Sequence, residues 1–185
     1  MLKYVNMKTL KNLLIGKNWL GSLFRVSLVL TLFTIPFSYH YKLMYIDGIS
    51  MTPTYNDKQW TLMQRTRSFD QPWSPNRFDV IVVWSEKLKV RLCKRVIGLP
   101  GEKVEIVQGR IFINGEQILD SFGKGNMVHR NFIDPNTNKS WLKEYENISL
   151  KVIAPDHVWV IGDYREDSIF GHFPIKDIHG KVVLY

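Results

Sequence analysis

The sequence predicts a mainly β fold, built of small antiparallel sheets and carried on one N-terminal apolar helix. Three observations lead there. From residue 43 onward the apolar residues come in short runs separated by turn-forming residues, which is the pattern of strands and tight turns. One of those turns is Asn114-Gly115, set inside residues 110–118, and Asn-Gly between apolar runs is the strongest short-range sign of a β-hairpin. Outside residues 19–41 no long segment repeats its apolar residues at the 3.6-residue spacing of an amphipathic helix.

The helix comes first in the chain. Residues 1–18 are basic and polar, and residues 19–39 are largely apolar apart from Arg25. That length meets the ~20 residues a bilayer span requires, with Arg25 able to reach back toward the headgroups. Pro36 can bend the far end, and Tyr39, Tyr41 and Tyr45 suit an interfacial aromatic belt. A removable signal peptide is the alternative. It is disfavoured because Phe37-Ser38-Tyr39-His40 offers no small-x-small cleavage site after the apolar run.

The net charge of +8 suggests nucleic acid at first sight. However, Lys3, Lys8, Lys11, Lys17, Arg25 and Lys42 are the only charges in the first 46 residues, and the remaining 139 hold 19 basic and 17 acidic side chains. A basic head on a nearly balanced body is a topology signal, with the N-terminus cytoplasmic and the body outside, and it is not a nucleic-acid-binding face. Cys93 is the only cysteine, so no intramolecular disulfide and no Cys-based zinc site can form, and it reads as packing. No metal or cofactor is expected.

Beyond the helix, residues 43–49 alternate and read as a strand ending at Ser50, with Pro53 forbidding its simple continuation. Residues 60–67 alternate loosely, and 70–76 form a Pro-containing loop. Residues 77–84 are nearly all apolar after their start, as in a strand covered on both faces. Residues 89–97 form another strand, closed by the Leu99-Pro100-Gly101 turn. Residues 120–147 are polar and read as an insertion or long loop, and 158–161 and 180–184 are expected to close the sheet.

Two residues stand out chemically. A serine at a strand end is open to an extended peptide, but it needs a base to become a nucleophile. None of His40, His129, His157, His172 and His179 sits in a recognised nucleophile–base pattern, and Ser50 lacks the Gly-x-Ser-x-Gly elbow. Lysine can serve instead. With a reference pKa of ~10.4 only about one lysine in 2,500 is neutral at pH 7, so the fold must bury it. Lys94 lies in an apolar strand with Val90, Leu92, Val96 and Ile97. Taken alone, Ser50 reads equally as a turn hydroxyl, and Lys94 as an edge lysine that discourages aggregation.

Three segments in series resolve this. Gly48-Ile49-Ser50-Met51-Thr52-Pro53-Thr54, Lys94-Arg95-Val96-Ile97-Gly98-Leu99-Pro100-Gly101 and Gly162-Asp163-Tyr164-Arg165-Glu166-Asp167-Ser168 resemble, in this order, the boxes of type I signal peptidases. The resemblance covers residues 20–185. It implies an open-barrel β domain and a membrane-bound serine endopeptidase that removes signal peptides from exported precursors. Ser50 would be the nucleophile and Lys94 the general base. Ser168 would orient the lysine, although a turn serine is the alternative. Asp163 would pair with Arg95 in a structural role. The oxyanion hole would be the Ser50 N–H, with Gly48 placing the chain among the Gram-positive and mitochondrial inner-membrane types. Ile46, Gly48, Ile49, Met51 and Leu92 are the substrate-binding candidates, the apolar ones shaping P1 and P3 pockets for Ala-x-Ala or, alternatively, filling the core.

On this reading residues 1–18 are a cytoplasmic segment, 19–41 a transmembrane signal anchor and 42–185 the catalytic domain with its polar insertion at about 120–147. The expected partners are precursor proteins and membrane lipid. The expected place is the plasma membrane, the mitochondrial inner membrane being the alternative. The family usually has Asn where Tyr164 stands and Asp-Ser-Arg after the last serine, whereas Ser168 here runs into Ile169-Phe170-Gly171. An ion pair near the site is thus missing or replaced. That departure keeps two alternatives open, a catalytically impaired tethered module and a specialised maturation peptidase. A Ser/Lys autoprotease similar to SOS-response repressors fits less well, because the N-terminus is apolar and not a DNA-binding helix-turn-helix.

Overall fold

A computed structural model describes residues 19–69, 73–124, 128–130, 142–144, 147–149 and 152–183. The chain divides into two compact units, residues 1–41 and 42–185.

In the first unit, α1 (Trp19–His40) is the only α-helix among the described residues. Residues 21–40 have a mean hydropathy of 1.5 and none of them is buried, so this helix is long and apolar enough to cross a membrane. Pro36 lies inside it, and the Phe37 and Tyr41 rings stack at 5.1 Å near its end.

The second unit is mainly β, as its short apolar runs predict. Its strands are β1 (Tyr41–Tyr45), β2 (Trp60–Arg65), β3 (Val80–Ser85), β4 (Val90–Gly98), β5 (Val104–Val107), β6 (Arg110–Ile113), β7 (Glu116–Gln117), β8 (Val128–Arg130), β9 (Leu142–Glu144), β10 (Asn147–Ser149), β11 (His157–Ile161), β12 (Gly171–Pro174) and β13 (Ile178–Val182). The principal sheet has seven strands in the order β1-β2-β13-β3-β4-β11-β12 and is larger than the sheets the sequence suggested. Beside it lie a four-stranded sheet, β10-β5-β6-β7, and a two-stranded ribbon, β8-β9. From β2 to β12 the neighbours pair antiparallel.

Several elements differ from expectation. The first strand ends at Tyr45, well short of Ser50, because Gly48 takes φ +100° and turns the chain. The last strand does not close an edge: β13 is inserted between β2 and β3. Within the expected insertion, β8 and β9 pair with each other, while much of that segment lies outside the described residues. The Asn114-Gly115 hairpin forms as the sequence predicts, with φ +53° and +86°, the paired left-handed turn that suits strand twist.

Packing follows the alternation. Val80 and Val82 of β3 join Ile46, Met51, Tyr55, Met63 and Val182 in one core cluster. Ile81 and Val83 join Val96, Val158, Val160 and Ile178 in another, so β3 is covered on both faces. A third cluster seats the four-stranded sheet, through Val104, Ile106, Ile111 and Ile113, on Ile97, Trp159 and Ile161. Register shifts interrupt β13 against β3 and β11 against β4, and such bulges bend a sheet. The bending is visible in one open cavity of about 880 Å³, which takes lining residues from β1, β2, β13, β3 and β4.

Trp159 is fully buried where the two larger sheets meet. Trp159→Ala leaves a cavity that its neighbours fill poorly and should cost about 3–5 kcal/mol. The check is urea unfolding of the full chain in micelles. A loss under about 1 kcal/mol would show that this contact does not hold the sheets together.

Candidate active site

Ser50 and Lys94 come from different segments and meet. Ser50 lies in the turn after β1, and Lys94 lies in the middle of β4 opposite Ile81. Lys94 Nζ is 2.6 Å from Ser50 Oγ. The first residues of β4 are exposed, but the burial pattern closes at Lys94, which is 3% exposed. Burial, opposed by Cys93, Asp163 and Asp167, pulls its amine from 10.5 down to about 8. At that value about one lysine in ten is neutral at pH 7, which is a usable population of base. Among the described residues nothing accepts a hydrogen bond from the Ser50 N–H.

What holds the pair together is the next residue of β4. Arg95 is 1% exposed and Asp163 fully buried. Arg95 donates through Nε and Nη2 to the two Asp163 oxygens at 2.7 and 2.6 Å, a bidentate pair. Thr54, four residues past Ser50, donates its hydroxyl to Asp163 Oδ2 at 2.5 Å, and Arg95 Nη1 donates to the Phe78 carbonyl at 2.8 Å. The Phe122 ring covers the guanidinium at 3.7 Å. The turn bearing Ser50, the strand bearing Lys94 and the segment bearing Ser168 are thereby tied at one point.

That third segment also touches Ser50 directly. The Ser50 carbonyl accepts from the Tyr164 N–H at 3.1 Å. A Cβ on Gly162 would lie 2.2 Å from that carbonyl and 2.4 Å from Ser168 Oγ, so only glycine fits. Ser168 is buried, but it does not reach the lysine as expected. Its hydroxyl accepts from the Gly162 N–H at 2.5 Å and donates to the Ile169 carbonyl at 3.2 Å. Lys94 has no hydrogen bond to it. The hydroxyl is instead engaged within its own loop, by the Gly162 N–H and the Ile169 carbonyl.

The substrate-binding candidates separate by exposure. Ile46 and Met51 lie in the core cluster with Tyr55 and Val82, at 3% and 0% exposure, and belong to the packing. Ile49 is 47% exposed, and Leu92 is partly buried against the Ile81 cluster. Gly48 is exposed and donates its N–H to Asp57 Oδ1 at 2.6 Å. Cys93 packs against the Ile46 cluster, and burial pushes its thiol up to about 12, well out of the range of a thiolate at neutral pH.

Sequence reasoning missed Asp120 and Arg165. They form an ion pair at 9% and 5% side-chain exposure, and Arg165 Nε also donates to the Gly162 carbonyl at 3.1 Å. An ion pair near the site is therefore present, supplied from the start of the polar segment. Only the arginine was visible in a motif; nothing about Asp120 in a polar stretch marked it. Among the described residues no cluster of His, Cys, Asp or Glu has the arrangement of a metal site.

A buried lysine whose pKa is lowered destabilises the fold wherever it is charged. Between pH 8 and 10.5 the unfolded chain binds the proton and the folded one does not, so stability rises with pH across that window. Lys94→Met removes the charge at similar volume. It should be more stable than the parent below pH 8 by up to about 3 kcal/mol, with the difference vanishing above pH 10.5. Urea unfolding at pH 7 and pH 10 measures this, and a gap independent of pH would contradict the burial of a titrating amine.

Residues 17–185 match the profile of a family described as signal peptidase, peptidase S26. The chain is 32% identical over 152 residues to a signal peptidase I of Leptolyngbya laminosa, covering 76% of this chain and 66% of that relative. It is 26% identical over 140 residues to signal peptidase I P of Bacillus subtilis subsp. natto, covering 73% of this chain and 70% of that one. The chain thus spans about two thirds of the length of these relatives. A solved signal peptidase I from Enterococcus faecalis V583 overlays with a TM-score of 0.45 at 23% identity, covering 60% of this chain and 98% of the other. With the profile running from residue 17 to the last residue, the chain belongs to the signal peptidase family, peptidase S26.

Proposed function

We propose that this chain is a membrane-anchored serine endopeptidase that removes signal peptides from exported precursors. The observation that carries the proposal is the 2.6 Å approach of Lys94 Nζ to Ser50 Oγ inside a buried site that lowers the lysine pKa. The neutral amine takes the Ser50 proton as Oγ attacks the scissile carbonyl carbon. The oxyanion that forms lies against the Ser50 N–H. The lysine, now an ammonium, returns its proton to the leaving amine, and water then hydrolyses the acyl-enzyme by the same route.

The partner residues act by placement. Asp163 and Arg95 fix the relation of the turn to β4, and Ser168 acts through Gly162, which backs the Ser50 carbonyl. An extended precursor segment pairs with the chain edges that lead into Ser50 and Lys94. Ile49 and Leu92 are the side chains left to shape its P1 and P3 pockets, with small residues preferred. Residues 19–41 anchor the enzyme, and the basic residues before them hold the N-terminus in the cytoplasm. The body then works at the outer surface of the plasma membrane or, in an organelle, on the corresponding side of the mitochondrial inner membrane.

Ser50→Ala and Lys94→Ala should each abolish precursor cleavage, and Lys94→Arg should fail as well, since a guanidinium does not deprotonate. Turnover by either alanine variant would remove the dyad, and an inactive parent would point to a tethered, non-catalytic module. With chemistry limiting, kcat/KM should rise tenfold per pH unit below pH 8 and level off above about 8. A flat profile from pH 6 to 9 would argue against a lysine base.

The one-sided charge of the first 25 residues sets the orientation. Protease added outside intact cells or right-side-out vesicles should digest the body beyond residue 45. Complete protection there would reverse the proposed topology.

A further inference from the structure

The cavity enclosed by the curled sheet is cationic. Lys42, Arg65, Arg67, Arg91, Lys176 and His179 all line it. Among the described residues that line it Asp47 is the only acid, and its carboxylate pairs with Lys58. Among the described residues, none of Lys42, Arg65, Arg91 or Lys176 has a carboxylate within ion-pair distance. The Nε of Arg65 is buried without a hydrogen-bond partner. The like charges also sense one another. His179 is held below its usual pKa first by burial and then by Arg91, Lys42 and Arg65, with Asp177 opposing. The body as a whole is nearly balanced, so this concentration does not follow from composition. Lys42, Arg65, Arg91 and Lys176, gathered around one opening with no carboxylate of the described residues in ion-pair distance, fit an anion.

The position of the opening identifies the anion. Two of its walls, residues 42–47 and 91–93, are the segments that run into Ser50 and Lys94. Arg91 is three residues before Lys94, so it lies roughly 10 Å from the dyad along the strand. An extended chain presented at Ser50 and paired with those edges therefore passes the cations about three residues from its reacting bond. Resting on the peptidase reading, we propose that this groove selects precursors bearing an acidic side chain three to six residues from the scissile bond, with Arg91, Arg65 and Lys42 holding its carboxylate. A phospholipid headgroup has compatible charge. However, an anion in a groove with two walls that continue in sequence toward Ser50 and Lys94 is more directly supplied by the substrate itself.

The test uses the full chain in non-ionic micelles. Paired precursor peptides carry Asp or Asn at each position from three to six on either side of the cleavage point. An Asp preference of about tenfold in kcat/KM is expected at low salt on one side, shrinking toward parity as salt screens the groove. Arg91 is exposed, so Arg91→Glu should fold with an unchanged Tm, and it should invert the preference toward Lys at the same position. Equal cleavage of Asp and Asn peptides, still dependent on Ser50 and Lys94, overturns the inference and leaves the peptidase reading standing. Cleavage of neither removes that reading and the inference with it. A rate increase with phosphatidylglycerol over phosphatidylcholine vesicles, lost in Arg91→Glu and without any Asp preference, gives the groove to lipid headgroups and also overturns the inference.

Discussion

Arg95 and Asp163 form the contact on which the site depends. Two opposite charges lose their water here, and the loss is offset only because nearly every donor and acceptor is used. Thr54 adds the third member, so the loop after Ser50 is bound to the same carboxylate that binds β4. Removing one charge from such a pair leaves the other buried and uncompensated, which typically costs 3–5 kcal/mol. The pair is therefore poor evidence of stability in itself but strong evidence of specification. It sets which residue of the turn meets which residue of the strand, and Lys94 precedes Arg95 on that strand with no freedom to slide.

The lysine and arginine are neighbours with opposite fates. Arg95 keeps its charge in the interior because a carboxylate faces it. Among the described residues Lys94 has a hydroxyl as its only hydrogen-bond partner, and burial drives it toward neutrality. Neighbouring residues in a strand point to opposite sides, so one strand delivers a fixed cation to one environment and a titrating amine to another. The acids nearest to Lys94 work against its neutralisation, and Asp163 is among them.

The fold class and the residues that meet as Ser50 and Lys94 were legible because they rest on local signals. The two-sided burial of β3 shows in an unbroken apolar run, and the hairpin shows in Asn114-Gly115. The boxes around Ser50 and Lys94 name residue types whose chemistry is unusual. What escaped was set by geometry at a distance. The alternation before Ser50 could not be continued through Gly48, whose positive φ resets which side chains face inward. Ile46 and Met51 thus go to the core while Ile49 stays out. The partner of Ser168 depends on how closely Gly162 approaches it. Asp120 reaches Arg165 across 45 positions of chain, with no pattern of its own.

The position of β13 decides how the principal sheet is held together. Strands β1 and β2 stand on one side of it and β3, β4, β11 and β12 on the other, so the two groups have no direct ladder between them. Their common seam is β13 alone. Without residues 178–182 the sheet would be two separate ribbons, each with an open edge. Across that seam the turn bearing Ser50 and the strand bearing Lys94 are joined by side chains, through Thr54, Asp163 and Arg95. Loosening β13 would therefore open two edges at once in the middle of the sheet and leave that buried contact to hold the two halves in register.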